Sequence, residues 1–407
     1  MRIGIDARKI RDFGIGTHIR NLIAHLPEFD RDNEYFIFHY PADRAAVPQT
    51  GANITLVPDA SPKYSLRELA ALPVKMGRLR LDLFHAPHYT LPPIRPCKGI
   101  VTIHDVIHLR FPAYLPHPAA YYYAKGMMWA AARSAQKVIT VSECSKQDLM
   151  RYLGLPAAKI VVVYNGIEVA VNECHCEESA TKQSRDTCEI ASQSLAMTTP
   201  FSENLTALPQ NLSSLGLGEG AQHFDFSRPY ILYVGNFLPH KNLATLVKAY
   251  GLLKRQHKLE HGLVLAGKNE RLRASLEHLI ATEKLEPDVI LTGFVEPAWL
   301  PALYAQAALF VYPSLYEGFG LQALEAMAAQ IPVAISNVSA LPEIAGDAAI
   351  QFDPQSVESM ADAMHKALTD PALRAALIAK GTQRVKRFSW QEMARQTVEI
   401  YQSVLTP

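Results

Sequence analysis

Long apolar runs are missing from this 407-residue sequence. No stretch approaches the roughly 18 consecutive apolar residues of a membrane-spanning helix. The opening MRIGIDARKI carries Asp6 and Arg8 where a signal peptide needs its apolar core, so a soluble, cytoplasmic chain is expected. Cysteine is scarce. Cys97, Cys144, Cys174, Cys176 and Cys188 are an odd number without secretory context, which argues against a disulfide framework. Net charge is nearly absent as well: 40 Lys plus Arg against 39 Asp plus Glu leave +1. Without a basic field, nucleic acid is not expected as a partner, whereas small anionic ligands remain open. What is plentiful is apolar residue, 49% of the chain, enough for two buried cores and a connection.

Short β-branched runs at Ile3–Asp6, Tyr35–His39, Ile54–Pro58, Leu83–His85, Ile100–His104, Val138–Val141 and Ile160–Tyr164 read as buried strands. Helix-length stretches Gly16–Leu26, Ala119–Ala135 and Ser145–Leu153 alternate with them, the βαβ rhythm of a parallel sheet covered on both faces. The second half repeats it, with strands at Tyr230–Val234, Leu263–Ala266, Val289–Leu291, Leu309–Tyr312, Pro332–Ile335 and Ala349–Phe352 and helices from Leu243, Leu300, Leu321, Ser356 and Leu373. The fold class expected is therefore α/β, two Rossmann-like doubly wound domains facing across a cleft. Their bounds would be 1–168 and 229–387, with a flexible insertion at 169–228, where NECHCEESATKQSRDTCEIASQS is too polar to bury a core. Cys174, His175, Cys176 and Cys188 match no usual zinc spacing, so no metal site is expected there.

The chemistry concentrates in FVYPSLYEGFGLQALEAMA, a strand, a glycine-containing loop and a helix from Leu321. Gly318 and Gly320, flanking Phe319, let backbone N–H groups approach a diphosphate, and the helix aims its positive end at the same place. Carboxylates so near phosphate suit neutral hydroxyls: Glu317 the sugar ring, Glu325 the ribose. Their charge also favours an oxocarbenium-like state. A second strand, loop and helix, YVGNFLPHKNLATLVKAY, follows Gly235 with Lys241 just before the helix, where a cation can neutralise a leaving diphosphate.

The two glutamates eight positions apart in YEGFGLQALEAMA, followed by IPVAISNVSALPEIAGDAA, resemble the signature of retaining GT-B glycosyltransferases of the large family that includes sucrose synthase and many bacterial mannosyl- and glucosyltransferases. The resemblance covers nearly the whole chain except the insertion. It implies that Glu317 lies against the donor sugar, Glu325 holds the ribose and Lys241 binds phosphate. In VILTGFVEPAWL it implies that backbone around Phe294 and Val295 touches the nucleobase. Gly14 and Gly16, in the first strand-to-helix loop of DARKIRDFGIGTHIRNL, would close on donor phosphate and acceptor, and His104 of IVTIHDVIHLRFP would border the donor sugar. The last helix, after Phe388 and Trp390, would cross back to the N-terminal domain. This sequence departs from the pattern at Gln322 where Pro is frequent, at Gln330 where Gly is frequent, and at Asn236 and His240 where an upstream Arg is common. HDVIHLRFP and the layout resemble mannosyltransferases of surface polysaccharide assembly, which implies GDP-mannose as donor and a saccharide or lipid-linked acceptor.

Catalysis is expected to rest on Glu317, His104 and Lys241, with no cofactor, no metal and front-face displacement assisted by the leaving diphosphate. Asp105, His108 and Lys268 sit near the same strand ends. Ser142 or Ser145 reads as a helix cap. Tyr121, Tyr122, Tyr123, Met127, Met128 and Trp129 read first as core packing and second as a patch that meets a lipid-linked acceptor. Lys63, Arg67, Lys75, Arg78 and Arg80 offer peripheral membrane contact. A catalytically silent nucleotide-sugar-binding protein and a GT-B epimerase or phosphorylase are the alternatives.

Overall fold

The computed structural model describes residues 1–62, 65–115, 117–168, 228–268 and 270–406. Residues 169–227 of the stretch expected as a flexible insertion, with its cysteines, and Lys63 lie outside the described residues.

Seven parallel strands form the first sheet: β1 (Arg2–Asp6), β2 (Glu34–His39), β3 (Ile54–Pro58), β4 (Leu83–Ala86), β5 (Lys98–Thr102), β6 (Lys137–Thr140) and β7 (Ile160–Val162), in the order β3-β2-β1-β4-β5-β6-β7. Six more form the second: β8 (Tyr230–Val234), β9 (Gly262–Ala266), β10 (Val289–Gly293), β11 (Ala307–Tyr312), β12 (Val333–Ser336) and β13 (Ile350–Phe352), in the order β10-β9-β8-β11-β12-β13. Both sheets are wholly parallel, which explains why their strands read as continuous apolar runs.

The helices are α1 (Phe13–Phe29), α2 (Leu66–Arg78), α3 (Ile107–Arg110), α4 (Pro118–Ser134), α5 (Glu143–Leu153), α6 (Leu243–His257), α7 (Glu270–Thr282), α8 (Leu300–Gln306), α9 (Leu321–Ala328), α10 (Leu341–Ala345), α11 (Val357–Thr369), α12 (Pro371–Val385) and α13 (Trp390–Leu405). On one face of the first sheet, α1 and α13 pack through Ile19, Leu22, Met393, Val398 and Tyr401. On the other, α2, α4 and α5 contribute Leu72, Met76, Met128 and Leu149. The second sheet has its own continuous core.

Two local readings need correction. Gly14 and Gly16 lie inside the first turns of α1 and not in a loop, because the chain leaving β1 turns tightly over Ala7–Asp12 (Ile10 N to Ala7 O 3.0 Å, Asp12 N to Lys9 O 2.9 Å) and helix begins at Phe13. A Cβ on Gly16 would sit 2.3 Å from the Ile10 carbonyl oxygen, so glycine is required there for close approach. The strand expected at Ile100–His104 ends at Thr102. α2 went unrecognised although Ser65 and Glu68 have capping-box spacing. The Ser65 Oγ accepts the Glu68 N–H at 3.1 Å.

Candidate active site

Strand order reverses between β8 and β11 in the second sheet, which opens a crevice at their C-terminal ends. The loop after β8 ends in a short turn, Pro239–Lys241, and Asn242 (φ 60°) starts α6. Asn242 Nδ2 donates to the Pro313 and Pro354 carbonyls at 3.1 and 2.8 Å, tying this loop to the one after β11. Lys241 Nζ thereby meets Glu317 Oε1 at 2.5 Å, and both side chains are largely shielded from water. Burial alone would raise the Glu317 pKa, but the Lys241 charge and hydrogen bond outweigh it and hold the carboxyl below its ordinary value. Glu317 is therefore held as a carboxylate beside Lys241. His240 behaves oppositely: burial and the neighbouring Lys241 charge pull its imidazole down to about 4. At neutral pH it cannot supply the charge of an arginine, so the positive charge of this loop comes from Lys241.

Glu325 projects from α9, one turn beyond the loop, and its Oε2 accepts the Tyr304 hydroxyl at 2.7 Å. Burial raises the Glu325 pKa against that hydrogen bond. Tyr312 donates to Gln322 Oε1 at 2.8 Å and lies under Lys241, whose Nζ is 5.4 Å from its ring centroid. Gln322, standing where the family often has Pro, gives this buried phenol its acceptor. Gln330 adopts φ 58°. A left-handed residue is what the turn requires, and here a side chain carries it.

The other domain closes the site. His104 Nε2 faces the Pro87 carbonyl at 3.0 Å, which assigns the proton to that nitrogen, and burial pulls the ring down to about 4. Neutral His104 stands edge-on to His18, with centroids 4.9 Å apart. His18 is neutral too, lowered to about 3 by burial and by His104. A Cβ on Gly318 would lie 2.6 Å from the His104 carbonyl oxygen and 2.9 Å from Asp105 Cβ, so only glycine lets the loop approach this far. Asp105 is raised by burial.

Contacts invisible in the sequence lock this approach. Ser142 Oγ donates to the Gly318 carbonyl at 2.7 Å while accepting the Ser145 N–H at 3.0 Å. The Ser145 hydroxyl lies 3.2 Å from the same carbonyl. Glu343, on α10, accepts the N–H groups of Glu143 and Cys144 at 2.7 and 3.0 Å and the Tyr164 hydroxyl at 3.0 Å, capping α5 from the opposite domain. Tyr316 donates to Asp148 Oδ2 at 2.8 Å. Of the two serines read as possible caps, Ser142 caps α5, whereas Ser145 lies inside the helix and caps nothing; both hydroxyls reach the Gly318 carbonyl across the cleft.

The remaining residues fall as follows. Gly235 N donates to Ala266 O at 2.9 Å and extends the β8–β9 pairing. Gly320 (φ 106°) is the residue before α9. Leu321 packs against the cores of both domains. Phe319 is buried in an aromatic seam, 5.8 Å from Phe388 and 6.4 Å from Tyr164, so only its backbone lies in the glycine loop. Val295 is buried. Phe294 is exposed beneath Lys268, whose Nζ is 4.9 Å from its ring centroid. Gly14 is exposed at the start of α1. Among the described residues no three His, Cys, Asp or Glu side chains converge as a metal cluster.

Comparison with known proteins agrees with this architecture. The profile of the glycosyl transferases group 1 matches residues 221–384, and that of Glycosyltransferase Family 4 matches residues 14–171. The chain is 31% identical over 320 residues to the O-antigen chain mannosyltransferase B of Escherichia coli, covering 78% of this chain and 74% of that one. Its fold is similar to that of the sucrose-phosphate synthase from Thermosynechococcus elongatus (TM-score 0.71, 20% identity, 99% of each chain). It is also similar to that of Anabaena HepE in complex with UDP and glucose (TM-score 0.70, 19% identity, 99% of this chain and 100% of that one). Two parallel Rossmann-like sheets, a lysine–glutamate pair at the switch point and these matches together place the chain in the group 1 family of GT-B glycosyltransferases.

Proposed function

We propose that the chain transfers mannose from GDP-mannose to a saccharide or lipid-linked acceptor in surface polysaccharide assembly, with retention at the anomeric carbon. The observation that carries the reading is the Lys241–Glu317 pair at 2.5 Å, placed where the strand order reverses, with the adjoining Gly318 set against the His104 carbonyl across the cleft. With donor bound, Lys241 turns to the diphosphate and neutralises the charge that develops as it leaves. The N–H groups at the start of α9 support the same oxygens. Glu317, released from its partner but still anionic, faces the sugar and favours positive charge at the anomeric carbon. The free Glu325 oxygen takes ribose hydroxyls. His104, protonated on Nε2, presents Nδ1 as an acceptor for a sugar hydroxyl. Closure around Gly318 excludes water that would hydrolyse the donor. Front-face displacement assisted by the diphosphate fits a site in which Lys241 supplies the charge, and the reaction is taken to be metal-independent. Mannose and the polysaccharide context are supported by the Escherichia coli relative's name.

The test is a thermal-shift panel of GDP, UDP, ADP and their sugar conjugates on the wild type and on Glu325→Ala. Selective stabilisation by GDP-mannose, lost in the variant, supports the donor assignment; selection of another base overturns it. The anomeric configuration of the product, read by NMR, tests retention. Loss of activity on chelation, restored by Mg²⁺ or Mn²⁺, would overturn metal independence.

A further inference from the structure

We infer that the outer face of α4, with the loop before β5, is a docking surface for an anionic phospholipid bilayer. The charge distribution along the chain points there first. The chain as a whole is almost balanced, yet between Leu83 and Ser142 the sole carboxylate is Asp105. Asp105 is turned into the cleft against Gly318. The same stretch carries Arg95, Lys98, Arg110, Lys125, Arg133 and Lys137. On α4 itself Lys125 and Arg133 stand exposed and the helix carries no carboxylate, a face complementary to anionic headgroups.

Exposed apolar surface gathers in the same place. Tyr122 is 73% exposed, Trp129 49% and Ile94 87%. Tyr122, Trp129 and Arg133 recur along one side of α4, and Lys125 and Gly126 complete that exposed side. Ile94 joins them because Arg95 donates to the Ser134 hydroxyl and carbonyl at 3.1 and 2.6 Å, fixing the loop at the C-terminal end of α4. The Arg133 guanidinium lies 5.4 Å from the Trp129 ring centroid, and Lys125 Nζ lies 5.7 Å from that of Tyr121. A cation beside an exposed aromatic ring is the pairing suited to a headgroup region, where the ring enters the interface and the charge meets phosphate.

The inner side of α4, through Ala124, Met128, Ala131 and Ala132, is buried in the domain core, so the helix is held flat with its aromatic side outward. Core packing, expected for the whole aromatic stretch, applies to Met128 but not to Tyr122 or Trp129. The basic stretch of α2 is the poorer candidate, since Lys75 is committed to Asp59 at 2.7 Å. This inference goes beyond the donor assignment and does not depend on it.

The experiment is flotation of the full chain with vesicles of phosphatidylcholine alone or containing phosphatidylglycerol. Tryptophan fluorescence in brominated-lipid vesicles is read in parallel. The expected result is flotation only with the anionic vesicles and quenching that disappears in Trp129→Phe, because Trp390 is buried and Trp299 packs against the core of the other domain. Lys125→Glu combined with Arg133→Glu should reduce binding at least tenfold with an unchanged melting temperature. Absence of wild-type binding, equal binding by the charge-reversed variant, or quenching retained in Trp129→Phe overturns the inference. So does a variant-sensitive change in mass by light scattering without vesicles, which would assign the face to a second copy of the chain.

Discussion

The hydroxyl of Ser142 and the carbonyl of Gly318 lie 2.7 Å apart across the cleft, so a helix cap of one domain is also a bond to the donor loop of the other. Glu343 reinforces the contact by capping the same helix from the donor domain. Removing its charge should loosen closure without disturbing either core. Glu343→Gln is expected to lower kcat/KM about tenfold, the equivalent of ~1.4 kcal/mol, which is in the range of one hydrogen bond to a charged group. Unchanged kcat/KM in steady-state assays would show that the contact has no part in turnover.

Lys241→Met should lower kcat by about 100-fold or more, the scale of losing one group that stabilises developing charge. It also leaves Glu317 buried without its cation, so the melting temperature should fall. Combining it with Glu317→Gln should restore the melting temperature while leaving activity absent. Recovery of both together would mean the pair is only structural.

Acid should destabilise the protein in a defined window. Burial lowers His18 to about 3, His104 and His240 to about 4, and His85 well below its ordinary 6.5, with neighbouring groups adding to the shift at His18, His240 and His85 and the Pro87 hydrogen bond opposing it at His104. The folded state therefore binds fewer protons than the unfolded state once pH falls below about 6.5. The stabilisation is complete above that value and is lost as pH descends toward 4. Each histidine contributes a slope approaching 1.4 kcal/mol per pH unit in the middle of that window. Urea unfolding measured from pH 7 to 5 checks it, and a flat profile would contradict it.

Gln330 sits at φ 58° after α9, where Gln330 N and Ile331 N donate to Met327 O and Ala326 O at 3.1 and 3.3 Å. This is the Schellman arrangement, in which glycine avoids the steric cost of a Cβ. Gln330→Gly should stabilise the chain by up to about 1 kcal/mol, the strain relieved exceeding the entropy glycine adds to the unfolded state. Calorimetry showing a lower melting temperature would overturn this.

Much of the molecule was legible in the sequence because its determinants are local. Inner strands buried on both faces must be apolar along their length, so β1, β2, β4, β8, β9, β11 and β12 stood out as apolar runs, while the edge strands β3, β7 and β13 are only partly buried. Glu317, Gly318, Gly320 and Glu325 lie within one strand–loop–helix segment, and Lys241 opens another. The spacing within each segment determines where each group projects from a strand end or a helix start. α2 was missed because tertiary packing of Leu72 and Met76 outweighs a short, proline-containing and basic sequence.

What only the tertiary structure decided is how groups distant in the chain meet. Nothing near Ser142 announces Gly318, and nothing near Glu343 announces the N–H groups of Glu143 and Cys144. A hydroxyl can accept one hydrogen bond and donate another, so a serine that caps its own helix keeps a proton to give elsewhere. Local sequence determines the first bond. The second depends on how the two sheets are brought together, since each domain core is satisfied on its own and only their juxtaposition supplies the acceptor.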